Sequence, residues 1–219
     1  MPQGLAQVMN LGNLLTQTAR KYPRHAGLIH GEHRHSWAQI NRRVDALAYH
    51  LQTLGIKFGD RILVQLANGL PLFESAWAAF KLGAVWVPVN CRLTPPEVAW
   101  IAASSGARLM LTQQAFEAHA AAAQAQAPAL RQVLRCDEAA YASLAAAPAR
   151  PPFPAAEVTA RHPVWFFFTS GTTGRPKAAV LTHGQMAFVI TNHLADLLPG
   201  LTENQPSLVV APLSHGAGI

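Results

Sequence analysis

The residues most able to do chemistry form one run, Thr169-Ser170-Gly171-Thr172-Thr173-Gly174-Arg175-Pro176-Lys177. Gly171 and Gly174 let the backbone take positive φ and come close to a ligand. Consecutive backbone N–H groups in such a turn make an anion nest. The hydroxyls of Thr169, Ser170, Thr172 and Thr173 can donate to phosphate oxygens or bind a magnesium ion, and Lys177 adds a positive charge on a long stem. The run therefore reads as a loop that holds phosphate. It is not the common P-loop, in which glycine directly precedes lysine and Ser or Thr follows it. Here Arg175 and Pro176 separate Gly174 from Lys177, and Ala178 follows. A plain polar connection between two apolar runs is the competing reading. The order of glycines, hydroxyls and lysine weighs against it.

Other groups carry less. His215 lies in a Gly-rich turn after SLVVAPL, a run that reads as a strand; a lone histidine there is usually structural or solvated. His183 reads as structural. His33 and His35 alternate on one hairpin strand near His30 and Glu32, a pattern that faces solvent more often than it binds zinc. Cys91 and Cys136 are the only cysteines, and no CxxC occurs, which fits a reducing, cytoplasmic compartment. The net charge of +6 favours anionic partners, but the basic residues are scattered, so phosphorylated small molecules are expected and nucleic acid is not. The N-terminus lacks the basic and apolar regions of a signal peptide, and no apolar run is long enough for a membrane span.

The elements that must position the loop alternate along the chain. Asn10 is placed to cap a first helix that buries Leu11, Leu14 and Leu15. AGLIH and RHSW flank Gly31-Glu32 as a hairpin. Ser36 with Gln39 forms a capping box, ahead of a helical stripe through Ile40, Val44, Leu47, Leu51 and Leu54 that Gly55 stops. RILVQL is a short buried strand. Pro71 opens the next helix and Gly83 closes it. AVWVPV is a strand, Thr94 with Glu97 caps the following helix, Gly106 ends it, and RLMLT is a further strand. An Ala/Gln-rich surface helix is expected over 118–129 and a strand at VLRC. VWFFF, directly before the loop, has the composition of a central strand. Strand–helix–strand units of this length predict an α/β fold with a mainly parallel sheet. The Ala/Pro-rich stretch divides the chain into a first α/β part, 1–144, a linker or long loop, 145–160, and a phosphate-loop part, 161–219.

FFFTSGTTGRPKAAVLTH resembles the phosphate-loop signature of the adenylate-forming (AMP-binding) superfamily, with Ala178 where glycine is usual. Gly59-Asp60-Arg61, Asn68, the run Lys81-Leu82-Gly83-Ala84 leading to Pro88-Val89-Asn90, and the later Pro212-Leu213-Ser214-His215-Gly216-Ala217-Gly218 also resemble that family. NCRLTPPEVAWIAASSGARLML resembles its acyl-CoA synthetase branch. The resemblance implies an ATP-dependent ligase that adenylates a carboxylic acid, fatty or aryl, and passes the acyl group to coenzyme A. Thr169, Ser170, Gly171, Thr172, Thr173, Gly174 and Lys177 would hold the ATP phosphates, Thr169 would stand near Mg²⁺, and His215 would line the acyl pocket. It also implies that the main catalytic groups and a mobile C-terminal domain lie beyond Ile219. The chain is then expected to be a partial N-terminal domain, inactive alone, with a homodimer covering its exposed apolar surface. Loading of a carrier protein, or a non-catalytic nucleotide- or phosphate-binding module, stand as alternatives.

Overall fold

The computed structural model describes residues 7–137, 139–145, 151–169 and 175–215. In chain order these form β1 (Gln7–Val8), α1 (Gly12–Lys21), β2 (Ala26–His30), β3 (His33–Ser36), α2 (Trp37–Thr53), β4 (Arg61–Val64), α3 (Leu70–Leu82), β5 (Val85–Pro88), α4 (Pro95–Ser105) and β6 (Leu109–Thr112). There follow α5 (Glu117–Gln126), β7 (Gln132–Arg135), α6 (Ala139–Ala145), β8 (Val158–Thr159), β9 (Pro163–Thr169), β10 (Lys177–Thr182) and α7 (His183–Asn192). The seven-residue α6 has no counterpart in the sequence reading.

Local chemistry sets most helix ends. Asn10 accepts the Gly12 N–H at 2.8 Å and so opens α1. Ser36 accepts from the Gln39 N–H while the Gln39 side chain accepts from the Ser36 N–H, the expected capping box. The Glu97 carboxylate takes both the N–H and the hydroxyl of Thr94, at 2.7 Å each, ahead of α4. Thr182 and Gln185 repeat the box at α7. Gly83 (φ 66°) and Gly106 (φ 63°) end α3 and α4 in the left-handed conformation that glycine adopts without a Cβ penalty.

Six strands form one sheet in the order β10-β9-β5-β4-β6-β7. The neighbours from β9 to β7 are parallel, and only β10 runs antiparallel, against β9. The expected α/β architecture with a mainly parallel sheet is thus observed. β9 lies inside the sheet, between β5 and β10, as its apolar composition requires. Successive residues serve opposite layers. Ile62, Val64, Trp86, Leu109 and Leu111 pack with Leu15 of α1, Ile40, Val44, Leu47 and Leu51 of α2, and Leu72 and Phe80 of α3. Leu63, Val85, Val87 and Met110 pack with Val98 and Ile101 of α4 and Ala120 and Ala123 of α5.

Two ion pairs lie within the first layer. Lys81 Nζ donates to Asp45 at 2.5 Å and to Asn41 at 2.8 Å, joining α3 to α2. Arg43 pairs with Glu74, which also accepts from the Tyr141 hydroxyl at 2.8 Å and so docks α6. Residues 151–157 have no regular structure yet are held down. Phe153 packs on Tyr49, Asn10 donates to the Ala156 carbonyl at 3.0 Å, and the Ala156 N–H donates to Lys81.

One expectation fails. SLVVAPL is not a strand: residues 205–210 pair with no other strand among the described residues, and Leu208 and Val210 are 87% and 85% exposed. Apolar and β-branched residues favour a strand only where a neighbour offers backbone partners.

Candidate functional site

The C-terminal edge of the sheet gathers the candidate residues. Thr169 is the last residue of β9 and stands opposite Lys177, the first of β10. The two ends of the 169–177 run thus meet as paired residues where the parallel strands end. In open α/β sheets ligands bind at that edge. Thr169 and Lys177 are both exposed there. Ser170, Gly171, Thr172, Thr173 and Gly174 lie outside the described residues. Arg175 lies within them, and its guanidinium sits 4.4 Å over the ring of Trp100 on α4. That is cation–π distance, and it ties the returning limb of the hairpin to the layer of α4 and α5.

His215 arrives at the same edge from a remote part of the chain. Its ring meets Phe167 edge-on, with centroids 5.8 Å apart and planes at 90°. Phe167 precedes Thr169 by two positions, so both belong to one face of β9. The two motifs that the sequence singled out thus converge on a single strand end. A tight turn (His215 N–H to Pro212 carbonyl, 2.9 Å) shapes the chain before His215. Asn68, in the loop between β4 and α3, holds that turn. Its amide donates to the Ala211 carbonyl at 3.2 Å and accepts the Leu213 N–H at 2.9 Å.

Sequence reasoning noted Asn68 without assigning it a task and passed over Trp100. A large aromatic in the alanine-rich middle of α4 was the one available sign of the latter. His183 is buried at the start of α7, and its Nδ1 accepts the Leu11 N–H at 3.4 Å. Burial, with His162 nearby, lowers its pKa to about 4, so the ring is neutral at pH 7. This histidine braces α7 against α1, far in structural role from the hairpin turn. A cavity of about 520 Å³ lined by Tyr49, Phe58, Lys81 and Phe153 opens at the opposite, N-terminal edge of the sheet.

Residues 15–219 match the AMP-binding enzyme family. A feruloyl-CoA synthase of Amycolatopsis sp is 34% identical over 210 residues, covering 95% of this chain and 40% of that protein. The long-chain-fatty-acid–CoA ligase FadD13 of Mycobacterium tuberculosis is 34% identical over 179 residues, covering 80% of this chain and 35% of that protein. Among solved structures, the inhibitor-bound N-terminal domain of FACL13 from Mycobacterium tuberculosis superposes with a TM-score of 0.73 at 32% identity, over 80% of this chain and 45% of that one. The chain spans less than half the length of each of these relatives. A family match that takes in all but the first 14 residues makes this chain a member of the AMP-binding enzyme family.

Proposed function

We propose that this chain supplies the ATP-phosphate loop of a ligase that joins a carboxylic acid to coenzyme A. The observation that carries the reading is the placement of the signature run. Its two described ends meet at the C-terminal edge of the sheet, where Thr169 closes β9 and Lys177 opens β10 opposite it. In the first step a carboxylate oxygen bonds to the α-phosphorus of ATP and the bond to the bridging α–β oxygen breaks. Pyrophosphate leaves with that electron pair. The backbone N–H groups of 170–174, the hydroxyls and Lys177 hold the departing β- and γ-phosphates, where positioned donors lower the barrier most. In the second step a thiol attacks the acyl carbon, loses its proton, and AMP leaves.

Mg²⁺ prefers oxygen ligands, and the exposed Thr169 hydroxyl is an oxygen that would help hold it. When bound, the ion neutralises phosphate charge. His215 lines the acid pocket, a role that its seat against Phe167 beside the loop supports. The acid is aromatic or fatty, in keeping with the feruloyl and long-chain-fatty-acid relatives. The setting is cytoplasmic. Both cysteines are free, and no helix among the described residues is long and apolar enough to cross a membrane.

ATP–pyrophosphate exchange by the intact enzyme, run against a panel of aliphatic and aromatic acids, tests this reading. Acid-dependent exchange is the expected result. ATP binding without exchange for any acid would leave a non-catalytic nucleotide-binding module. Exchange without transfer to coenzyme A would point to a carrier-protein thiol instead.

A further inference from the structure

The β4–α3 loop is held from both neighbouring strands. The Ala67 N–H donates to the Gln113 side chain, just past β6, at 2.8 Å. The Cys91 thiol, just past β5, donates to the Leu66 carbonyl at 3.2 Å. The loop is thus a fixed platform, and Asn68 is the side chain it presents to residues 211–213. A planar amide that donates to one carbonyl and accepts from the N–H two residues later acts as an extending strand does. It satisfies both backbone polarities of a segment that no strand pairs. That segment leads into the turn of His215. Leu213 packs on the core and Ser214 is buried, which sets the depth of the segment. Neither contact sets its rotation about its own axis, whereas two hydrogen bonds to one rigid group do.

We infer that Asn68 is a positioning residue for the acid pocket, orienting the 211–215 segment so that His215 stands against Phe167 at the phosphate-loop end of β9. The inference rests on the reading of His215 as a pocket residue.

The test uses the intact enzyme and three variants, Asn68→Ala, Asn68→Asp and His215→Ala. Hydrogen exchange at the Leu213 amide reads the clamp directly. Asn68→Ala should speed it by about fivefold or more, the loss expected for one net hydrogen bond. Asn68→Asp keeps the acceptor for Leu213 and should preserve most of the protection. KM for the acid should rise by a similar factor in Asn68→Ala, and less in Asn68→Asp, with KM for ATP unchanged. A merely structural residue would move both constants or only the melting temperature. Unchanged exchange in Asn68→Ala overturns the clamp. Faster exchange with an unchanged acid KM, while His215→Ala raises it, overturns the positioning role. An acid KM indifferent to His215→Ala overturns the pocket reading and this inference with it, and the exchange data still decide whether the clamp exists. Should Asn68→Ala fail to fold, Asn68→Asp carries both measurements.

Discussion

Lys177 opens β10 on the exposed edge of the sheet, directly across from Thr169. A lysine exposed there is not buried in packing, so its replacement tests the proposed phosphate contact. Lys177→Ala in the intact enzyme should weaken ATP use about tenfold or more, the cost of one charge-assisted contact of about 1.5–3 kcal/mol. Exchange kinetics against ATP concentration check it, and unchanged kinetics would remove Lys177 from the site. Arg175 acts on the same loop by different physics. Its guanidinium stacks 4.4 Å over Trp100, a contact that ties the chain leading into β10 to α4. Trp100→Ala should weaken nucleotide binding by about two- to fivefold, the size of an exposed cation–π contact. Arg175→Ala should do the same, and the double variant little more. Additive losses would show that the two residues act independently. Trp100→Phe keeps a ring face and should restore most of the affinity.

Between elements, the contact that joins α2 to α3 is ionic and dry. Lys81 is fully buried and Asp45 nearly so. Burial raises the Asp45 pKa and lowers that of Lys81, in each case against the pull of its partner. Desolvation therefore outweighs attraction, as is common for buried pairs. Lys81→Ala strands a carboxylate in the core and should cost about 3–5 kcal/mol. The double change Lys81→Met with Asp45→Leu should recover most of that in urea denaturation. A second junction, α1 against α7, runs through neutral His183. Its pKa of about 4 lies below the ordinary 6.5. Between those values the unfolded chain binds the proton and the folded chain does not. Stability from this residue is therefore complete above about pH 6.5 and falls as the pH drops towards 4, by at most about 3 kcal/mol. His183→Asn keeps an acceptor for the Leu11 N–H without titrating there. Denaturation midpoints between pH 4 and 7 should show a flatter slope in that variant, and an unchanged slope would acquit His183.

For the molecule as a whole, several large apolar side chains are left exposed: Phe188 and Leu197 at 67% and 69%, Leu208 and Val210 more so, and β10 is an edge strand of the sheet among the described residues. Surfaces of this kind mark contacts, and free strand edges invite pairing. The 219-residue chain by itself should associate with a second copy as its concentration rises, which sedimentation velocity measures. A monomer at all concentrations would count against it. The same chain spans 40% of its feruloyl-CoA synthase relative, and no acidic metal ligand and no ribose ligand for the proposed reaction is assigned within it. It should release no AMP steadily from ATP, coenzyme A and a panel of acids. Turnover at the rate of the intact enzyme would relocate the catalytic groups into residues 1–219.

Whatever short range governs is readable from the order of residues alone. The capping boxes of α2 and α4, the left-handed glycines that end α3 and α4, the β2–β3 hairpin and the contiguous phosphate run all depend on residues within a few positions of one another. Propensity and spacing reach that far. The parallel sheet was legible too, because apolar runs alternate with helical stripes. Distance along the chain hid the rest. Only the fold decided that β9 lies between β5 and β10, that His215 meets Phe167 through a clamp on Asn68, that Arg175 rests on Trp100, and that Lys81, ordinary in its sequence context, is sealed against Asp45. SLVVAPL shows the same limit from the other side. Its composition favours a strand, but a strand exists only where another offers hydrogen bonds, and that is a property of the tertiary structure.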